Sequence, residues 1–356
     1  MASTKFSVSD ALAVKLWAKK LAAEALKATK IRPLIGTSSS SIIHRKMETS
    51  KGAGDQVTFG LRMQLSGAGR TEGETLEGHE EALTTYSDSL LINELRWGVR
   101  VRSENSIDQQ RVTFDMRKEA KAGLVDWFAG RYSEAFFNQV CGYTVQSDTR
   151  YTGQNAVSAP ASGRHIWKGT TKTDEGQGTS DLFTIDLIDK AKEAAITADP
   201  PVRPIMIGGE EKYVIYLDPY QVTDLRTSTD TGQWLDIQKA AMQGGKISKN
   251  PIYTGSLGEY NGVVIRMSHD VTQGVNSTTG VAESNVRRAV FLGAQSAAYA
   301  VGNRGRVAGF EWIEEKFDYK KEIGITGDSM WGMKKCQFNS TDFGTIVVST
   351  YAVAHT

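Results

Sequence analysis

Histidines, a glycine cluster and a run of glutamates are the residues in this chain whose types could support chemistry. His44, His79, His165, His269 and His355 are scattered, and no two share a helical turn or a known metal-ligand spacing. They read as isolated surface or core histidines and imply neither a zinc site nor a catalytic cluster. Gly67, Gly69 and Gly73 form GxGxxxG, not the GxGxxG of a dinucleotide loop, and they follow a strand without opening a helix. Motifs of the form GxxxxGK(S/T), GxSxG and HExxH do not occur. Cys141 and Cys336 are far apart and outside any CxxC pair, so they imply no disulfide framework and fit folding in a reducing compartment. The expectation is no catalytic residue, no metal ligand and no cofactor.

The glutamates are Glu72, Glu74, Glu77, Glu80 and Glu81, with no Lys or Arg between residues 71 and 82. Several carboxylates in one loop suit a hard cation such as calcium. They also suit a solvated loop tip, or pairing with a basic surface on another subunit. Residues 1–50 supply such a surface, with nine Lys/Arg against three acids. A basic arm and an acidic loop on one chain are self-complementary between copies, and complementary patches set register and partner choice. The arm has rival readings as a DNA contact, a membrane-surface helix or a plain solvated face. Glu24 interrupts its charge and Trp17 is its aromatic, so subunit contact or a solvated face ranks above membrane binding.

The elements that must position these residues follow from periodicity. Residues 9–30 read as an amphipathic helix, with Val14, Trp17, Leu21, Ala25 and Ala28 on one face and Lys15, Lys19, Lys20, Lys27 and Lys30 elsewhere. Pro33 ends it, and residues 36–56 read as an extended arm. Val57, Phe59, Leu61, Met63 and Leu65 alternate with polar residues, as do Trp97, Val99 and Val101 with Arg96, Arg100 and Arg102. These runs read as a two-stranded hairpin around the acidic insert, which needs a partner surface to be stable. From Ile107 to Val140 apolar residues recur at near-constant steps of four, which predicts one helix roughly 45–50 Å long. Residues 143–180 read as a long polar loop. Helices are expected over 181–198, 219–226 and 232–243. Strands are expected over 212–217, 263–267, 289–292, 310–321 and 345–353, giving an α+β chain with segregated elements.

Composition bounds the rest. The chain has 356 residues, 40% of them hydrophobic, and a net charge of +1, so it lacks the basic excess of a whole-chain nucleic-acid grip. The N-terminus lacks a signal-peptide core, and no apolar run approaches the roughly 18 residues needed to span a bilayer.

Sequence blocks carry a resemblance beyond this layout. KYVIYLDPYQVTDLR (212–226), NPIYTGSLGEYNGVVIRMSH (250–269), RAVFLGAQSAAYAVG (288–302), EEKFDYKKEIGITGDSMWGMKKCQFN (314–339) and FGTIVVSTYA (343–352) resemble the major capsid proteins of tailed bacteriophages, the family typified by the N4-like podoviruses. The resemblance implies the tailed-phage capsid fold, with an N-arm at 1–50, an E-loop at 51–105 and a spine helix at 106–142. A P-domain would take 143–204 and 305–356, and an A-domain 205–304. It implies a subunit that assembles as hexamers and pentamers into the icosahedral head shell around the phage genome. Its partners would be copies of itself, a separate scaffolding protein, a portal and a decoration protein. Double-stranded DNA would be touched weakly and non-specifically, and no membrane would be involved. The location implied is the virion, after synthesis in the bacterial cytoplasm.

Contact with neighbouring copies would then fall on Lys15, Trp17, Lys19, Lys20, Lys27 and Arg32 of the arm. It would also fall on the five loop glutamates and on Tyr253, Leu257 and Tyr260, aromatic and apolar anchors among turn formers. Asp318–Lys321 is expected to be a charged strand edge. A tail or decoration protein would be mostly β, without the long helix. A phage enzyme such as an endolysin would need a histidine or paired-acid cluster.

Overall fold

A computed structural model describes residues 24, 31–46, 54–62, 67–83, 85–102, 106–207, 209–228, 258–302, 306 and 309–355. Its main strands are β1 (Ile43–Lys46), β2 (Gln56–Arg62), β3 (Thr85–Leu91), β4 (Asn93–Arg102), β5 (His165–Trp167), β6 (Glu210–Leu217), β7 (Val263–Met267), β8 (Ala282–Leu292), β9 (Ala297–Val301), β10 (Phe310–Phe317), β11 (Glu322–Lys335) and β12 (Thr345–Tyr351). The helices are α1 (Ile107–Arg111), α2 (Met116–Val140), α3 (Ile185–Thr197) and α4 (Pro219–Thr227). The expected helices over 9–30 and 232–243 lie outside the described residues, apart from Glu24, which is helical.

The expected single helix from 107 to 140 is divided. Val112 closes α1 in an extended conformation. Asp115 then caps α2, its carboxylate accepting from Arg117 N and Lys118 N. A side chain that satisfies two free N–H groups restarts the helix where the apolar stripe alone predicted continuity. At 1.5 Å per residue α2 is about 37 Å long. Its stripe is the expected one. Ala120, Leu124, Phe128, Tyr132, Phe136 and Val140 are all buried.

That stripe packs on the first sheet, ordered β1–β9–β11–β10, with β4 also paired to β11. Phe128 meets Phe310 edge-on at 5.1 Å, and Tyr132 meets Trp331 at 4.5 Å. The Tyr132 hydroxyl shares a 3.1 Å hydrogen bond with Ser329 Oγ. A buried tyrosine needs such a partner for its polar end.

The hairpin differs from expectation. β2 pairs with β3, Gln56 opposite Leu91 and Arg62 opposite Thr85. The 93–102 run instead joins the first sheet as β4, pairing with β11 from Arg102↔Glu322 to Asn93↔Trp331. The polar sequence of β3, TYSDSLL, hid its strand character, because one of its faces is solvated. β11 was also missed, because Gly324, Gly327 and Gly332 resemble turn residues. Two of them serve close packing instead: a Cβ on Gly324 would lie 2.7 Å from the Phe317 ring, and one on Gly332 would lie 1.9 Å from the Leu91 carbonyl oxygen.

The second sheet runs β5–β12–β8–β6–β7. β6 and β7 are parallel, Tyr213 opposite Val263, with α4 in the connection between them. This makes one βαβ crossover inside an otherwise segregated α+β chain. Asp218 and Gln221 form a capping box at the start of α4, and Pro219 occupies its first turn. α3 buries Leu187, Ile188, Ala191 and Ala195 in the core of this sheet, with Phe291, Ile346 and Val348.

Candidate assembly surfaces

One cavity holds a trio that sequence spacing concealed. It measures about 830 Å³ and is lined in part by His165, Asp174 and Arg288. His165 Nε2 is 2.7 Å from Ser349 Oγ and 3.5 Å from Asp174 Oδ1. A hydrolytic triad needs the acid on Nδ1 and the serine on Nε2, but here both partners face the same nitrogen. Burial holds His165 down to about 3, so it is neutral and a poor base at neutral pH. Asp174 is already committed, accepting from Arg288 Nε at 2.7 Å, Val275 N at 2.8 Å and Trp167 Nε1 at 3.0 Å. Arg288 in turn donates to the Cys141 and Gly142 carbonyls. The trio is a buried polar tie joining β5, β8, β12 and the end of α2.

A second tie is Lys335 with Asp342, 2.9 Å apart and both buried. Lys335 also donates to the Ser158 and Ala159 carbonyls, and Asp342 accepts from Ala161 N and Gln337 Nε2. These bonds pin the 143–180 segment, which the sequence showed only as polar loop, onto the sheets. Among the described residues, no group of three or more His, Cys, Asp or Glu side chains is arranged to hold a metal ion.

The acidic loop lies beyond the β2–β3 hairpin, and residues 67–83 are exposed wherever they are described. Three of its carboxylates staple its own backbone. Glu74 accepts from Thr71 N, Glu80 from Gly78 N and Glu81 from Gly67 N. Leu76 and Leu83 are also exposed, at 59% and 60%. Glu72, Glu74, Glu77 and Glu80 form no ion pair with another described residue. The described loop thus presents its carboxylates and two leucines to solvent.

Of the arm, Lys15, Trp17, Lys19, Lys20 and Lys27 lie outside the described residues, as do Tyr253 and Leu257. Arg32 is exposed in a short 3-10 turn, Arg32–Leu34. Glu24 pairs with Lys121 of α2 at 2.8 Å. Tyr260 is half-buried, and its hydroxyl donates to Asp189 Oδ2 of α3 at 3.0 Å. That anchor is therefore engaged within its own chain.

The expected charged strand edge at Asp318–Lys321 is a sharp turn joining β10 to β11. Asp318, Tyr319 and Lys320 have φ of 46°, 51° and 74°, consecutive non-glycine residues in the left-handed region. Tyr319 at its apex is fully exposed. The DYKK sequence gave no sign of this, since left-handed turns usually announce themselves by Gly or Asn.

The model of one protein family, phage capsid protein, matches residues 5–354. The chain belongs to the phage capsid protein family. Among curated relatives, this capsid protein is 26% identical to the major capsid protein of Pseudomonas phage KPP25, over 95% of this chain and 94% of that one. Among solved structures it resembles the capsid of Ralstonia phage GP4, with 31% identity, full coverage of both chains and a TM-score of 0.77. The cyanophage Pam1 capsid matches at 20% identity over 93% of this chain and 94% of that one, with a TM-score of 0.73, which shows a shared fold. The capsid protein thus has the tailed-phage capsid fold. Its surfaces, not a pocket, are where its function is to be sought.

Proposed function

We propose that this chain is the major subunit of an icosahedral phage head, assembling as hexamers and pentamers into the shell that encloses the genome. The observation that carries this is the family match over nearly the whole chain, together with an acidic loop whose charged and apolar residues are exposed. The segments then take the roles of N-arm (1–50), E-loop (51–105), spine helix (106–142), P-domain (143–204 and 305–356) and A-domain (205–304). The five loop glutamates meet a basic surface of one neighbour. Lys15, Trp17, Lys19, Lys20, Lys27 and Arg32 reach another. Tyr253, Leu257 and Tyr260 take part in the contacts of the A-domain with neighbouring copies.

A near-neutral chain suits weak, non-specific contact with packaged double-stranded DNA and leaves the assembly energy to protein contacts. A separate scaffolding protein directs assembly, a portal occupies one vertex, and a decoration protein is compatible with the outer surface. Synthesis and assembly take place in the bacterial cytoplasm, and the finished protein resides in the virion without enzymatic activity. Negative-stain microscopy of the purified protein with scaffold tests the proposal. Capsomers or shells are expected, and a strictly monomeric protein at high concentration overturns it. Deleting residues 1–30 is expected to impair assembly more than subunit folding, and equal damage to both overturns the role given to the arm.

A further inference from the structure

Assembly falls to the surfaces of the subunit, but the cavity beside the His165–Asp174–Arg288 tie has bonding capacity that the tie leaves unused. Its floor is one face of the second sheet. Arg288 of β8 stands opposite Ser349 of β12, and Ser349 stands opposite Trp167 of β5, so the three side chains form one row across the sheet. His165, two residues before Trp167, projects on the same face, and the two rings stack with centroids 3.9 Å apart. One wall comes from residues 159–174 and the other from 275–280. Asp174 Oδ2 accepts from Val275 N at 2.8 Å, and Glu175 accepts from Ser277 N at 3.1 Å and from the Ser277 hydroxyl, so the two walls are clipped together. At about 830 Å³ the space suits a small molecule and far exceeds a single ion or water.

The polar groups that line it define the chemistry of an occupant. Arg288 is buried, with Nε committed to Asp174 and Nη1 to the Cys141 and Gly142 carbonyls. Its Nη2 has no hydrogen-bond partner among the described residues and is not sealed from the cavity, so it is an open donor on the floor. His165 Nε2 faces Ser349 Oγ at 2.7 Å and the Asp174 carboxylate at 3.5 Å, which favours the tautomer with its hydrogen on Nε2. Nδ1, also without a partner among the described residues, is then an open acceptor. Arg288 and Asp174 cancel in charge, and both Asp174 oxygens already accept N–H donors, so the floor is polar but neutral. Positive charge enters at the rim, where Lys172 is exposed. A donor beside an acceptor, an aromatic wall and a cation at the mouth together suit a flat heterocycle with an anionic tail. Nucleobases carry such a mixed edge and stack on aromatic side chains, and a phosphate suits the lysine.

We infer that this cavity binds a nucleoside monophosphate, its base on the floor among His165, Trp167 and Arg288 and its phosphate at Lys172. The site is independent of the shell proposal, and its failure leaves that proposal standing. The same chemistry is offered by a free nucleotide and by one nucleotide of a DNA strand.

Equilibrium dialysis of the full-length protein against radiolabelled dAMP tests it. Saturable binding of about one dAMP per subunit is expected, with a dissociation constant below about 1 mM. No binding at that concentration overturns the inference. Lys172→Ala removes an exposed side chain and should weaken dAMP about tenfold while leaving deoxyadenosine within about twofold. Unchanged dAMP binding in this variant overturns the inference. His165→Phe keeps a ring against Trp167 but loses Nδ1, and it should weaken dAMP and deoxyadenosine alike, by about fivefold. Should that variant fail to fold, Lys172→Ala alone decides. Full displacement of dAMP by an equal concentration of inorganic phosphate also overturns the inference, because a bare anion site then accounts for the binding. A short oligodeoxyadenylate that displaces dAMP upholds the site and assigns it to a DNA strand, and one that does not upholds it for the free nucleotide.

Discussion

Lys335 Nζ lies 2.9 Å from Asp342 Oδ1, with both side chains shut off from solvent. Burial pushes the Lys335 ammonium down from its usual range, while Asp342 and two backbone carbonyls hold the proton in place. Removing one partner strands the other in a dry site. Lys335→Met is therefore expected to destabilise the unassembled subunit by about 3–5 kcal/mol. Adding Asp342→Leu should recover part of that loss, so that the double variant costs less than the sum of the singles by at least about 1 kcal/mol. Urea unfolding of the four proteins checks this, and simple additivity would show that the pair is not coupled.

Asp224 supplies a pH dependence. It is buried in α4, its Oδ2 has no hydrogen-bond partner among the described residues, and His355 meets Oδ1 at 3.1 Å. Burial raises its pKa from 3.8 to about 6, against the pull of His355. The folded state thus holds a proton that the unfolded state has released between pH of about 4 and 6. Stability from this group falls as pH rises through that window and stays reduced above it. Asp224→Asn is expected to be more stable than wild type by about 1–3 kcal/mol at pH 7, with the difference vanishing near pH 4. Thermal melts at the two pH values measure it.

The loop glutamates allow charge to be separated from folding. Glu74, Glu80 and Glu81 accept backbone N–H bonds, and a glutamine oxygen accepts them too. Replacing Glu72, Glu74, Glu77, Glu80 and Glu81 by Gln should leave subunit stability within about 0.5 kcal/mol. Particles should weaken more at low salt than at high salt, because screening already removes the charge attraction in wild type. Light scattering across a salt series gives the comparison, and an unchanged salt profile would remove charge pairing from the account.

Gly332→Ala tests the packing of β11 against the β3–β4 junction. Its added methyl would meet the Leu91 carbonyl at 1.9 Å, backbone against backbone, where no rotamer change gives relief. A cost of about 1–3 kcal/mol or more is expected, with weakened assembly because the β3–β4 junction shifts. Hydrogen exchange should show the loss concentrated at residues 85–102. A neutral variant would mean that the β3–β4 junction does not pack closely on β11 there.

Periodicity and local capping chemistry are properties of neighbouring residues, so the sequence alone determined much. The buried stripe of α2, the α4 start at Pro219, the β6 and β7 cores and the acidic loop were all legible. So was the family resemblance, carried by the blocks from residue 212 onward. Other features depended on contacts between residues distant in the chain, and only the tertiary structure decided them. The break before Met116 was local in cause, but the four-residue stripe masked it. The partner of β2 was misassigned because a solvated strand lacks an apolar signature. The glycines of β11 looked like turns until the Leu91 backbone was seen against one of them. His165 and Ser349, or Lys335 and Ser158, meet only because the sheets bring them together. The β4–β11 pairing shows the division most plainly, because a register that sets Arg102 opposite Glu322 and Asn93 opposite Trp331 joins segments far apart in the chain and is encoded by no local pattern.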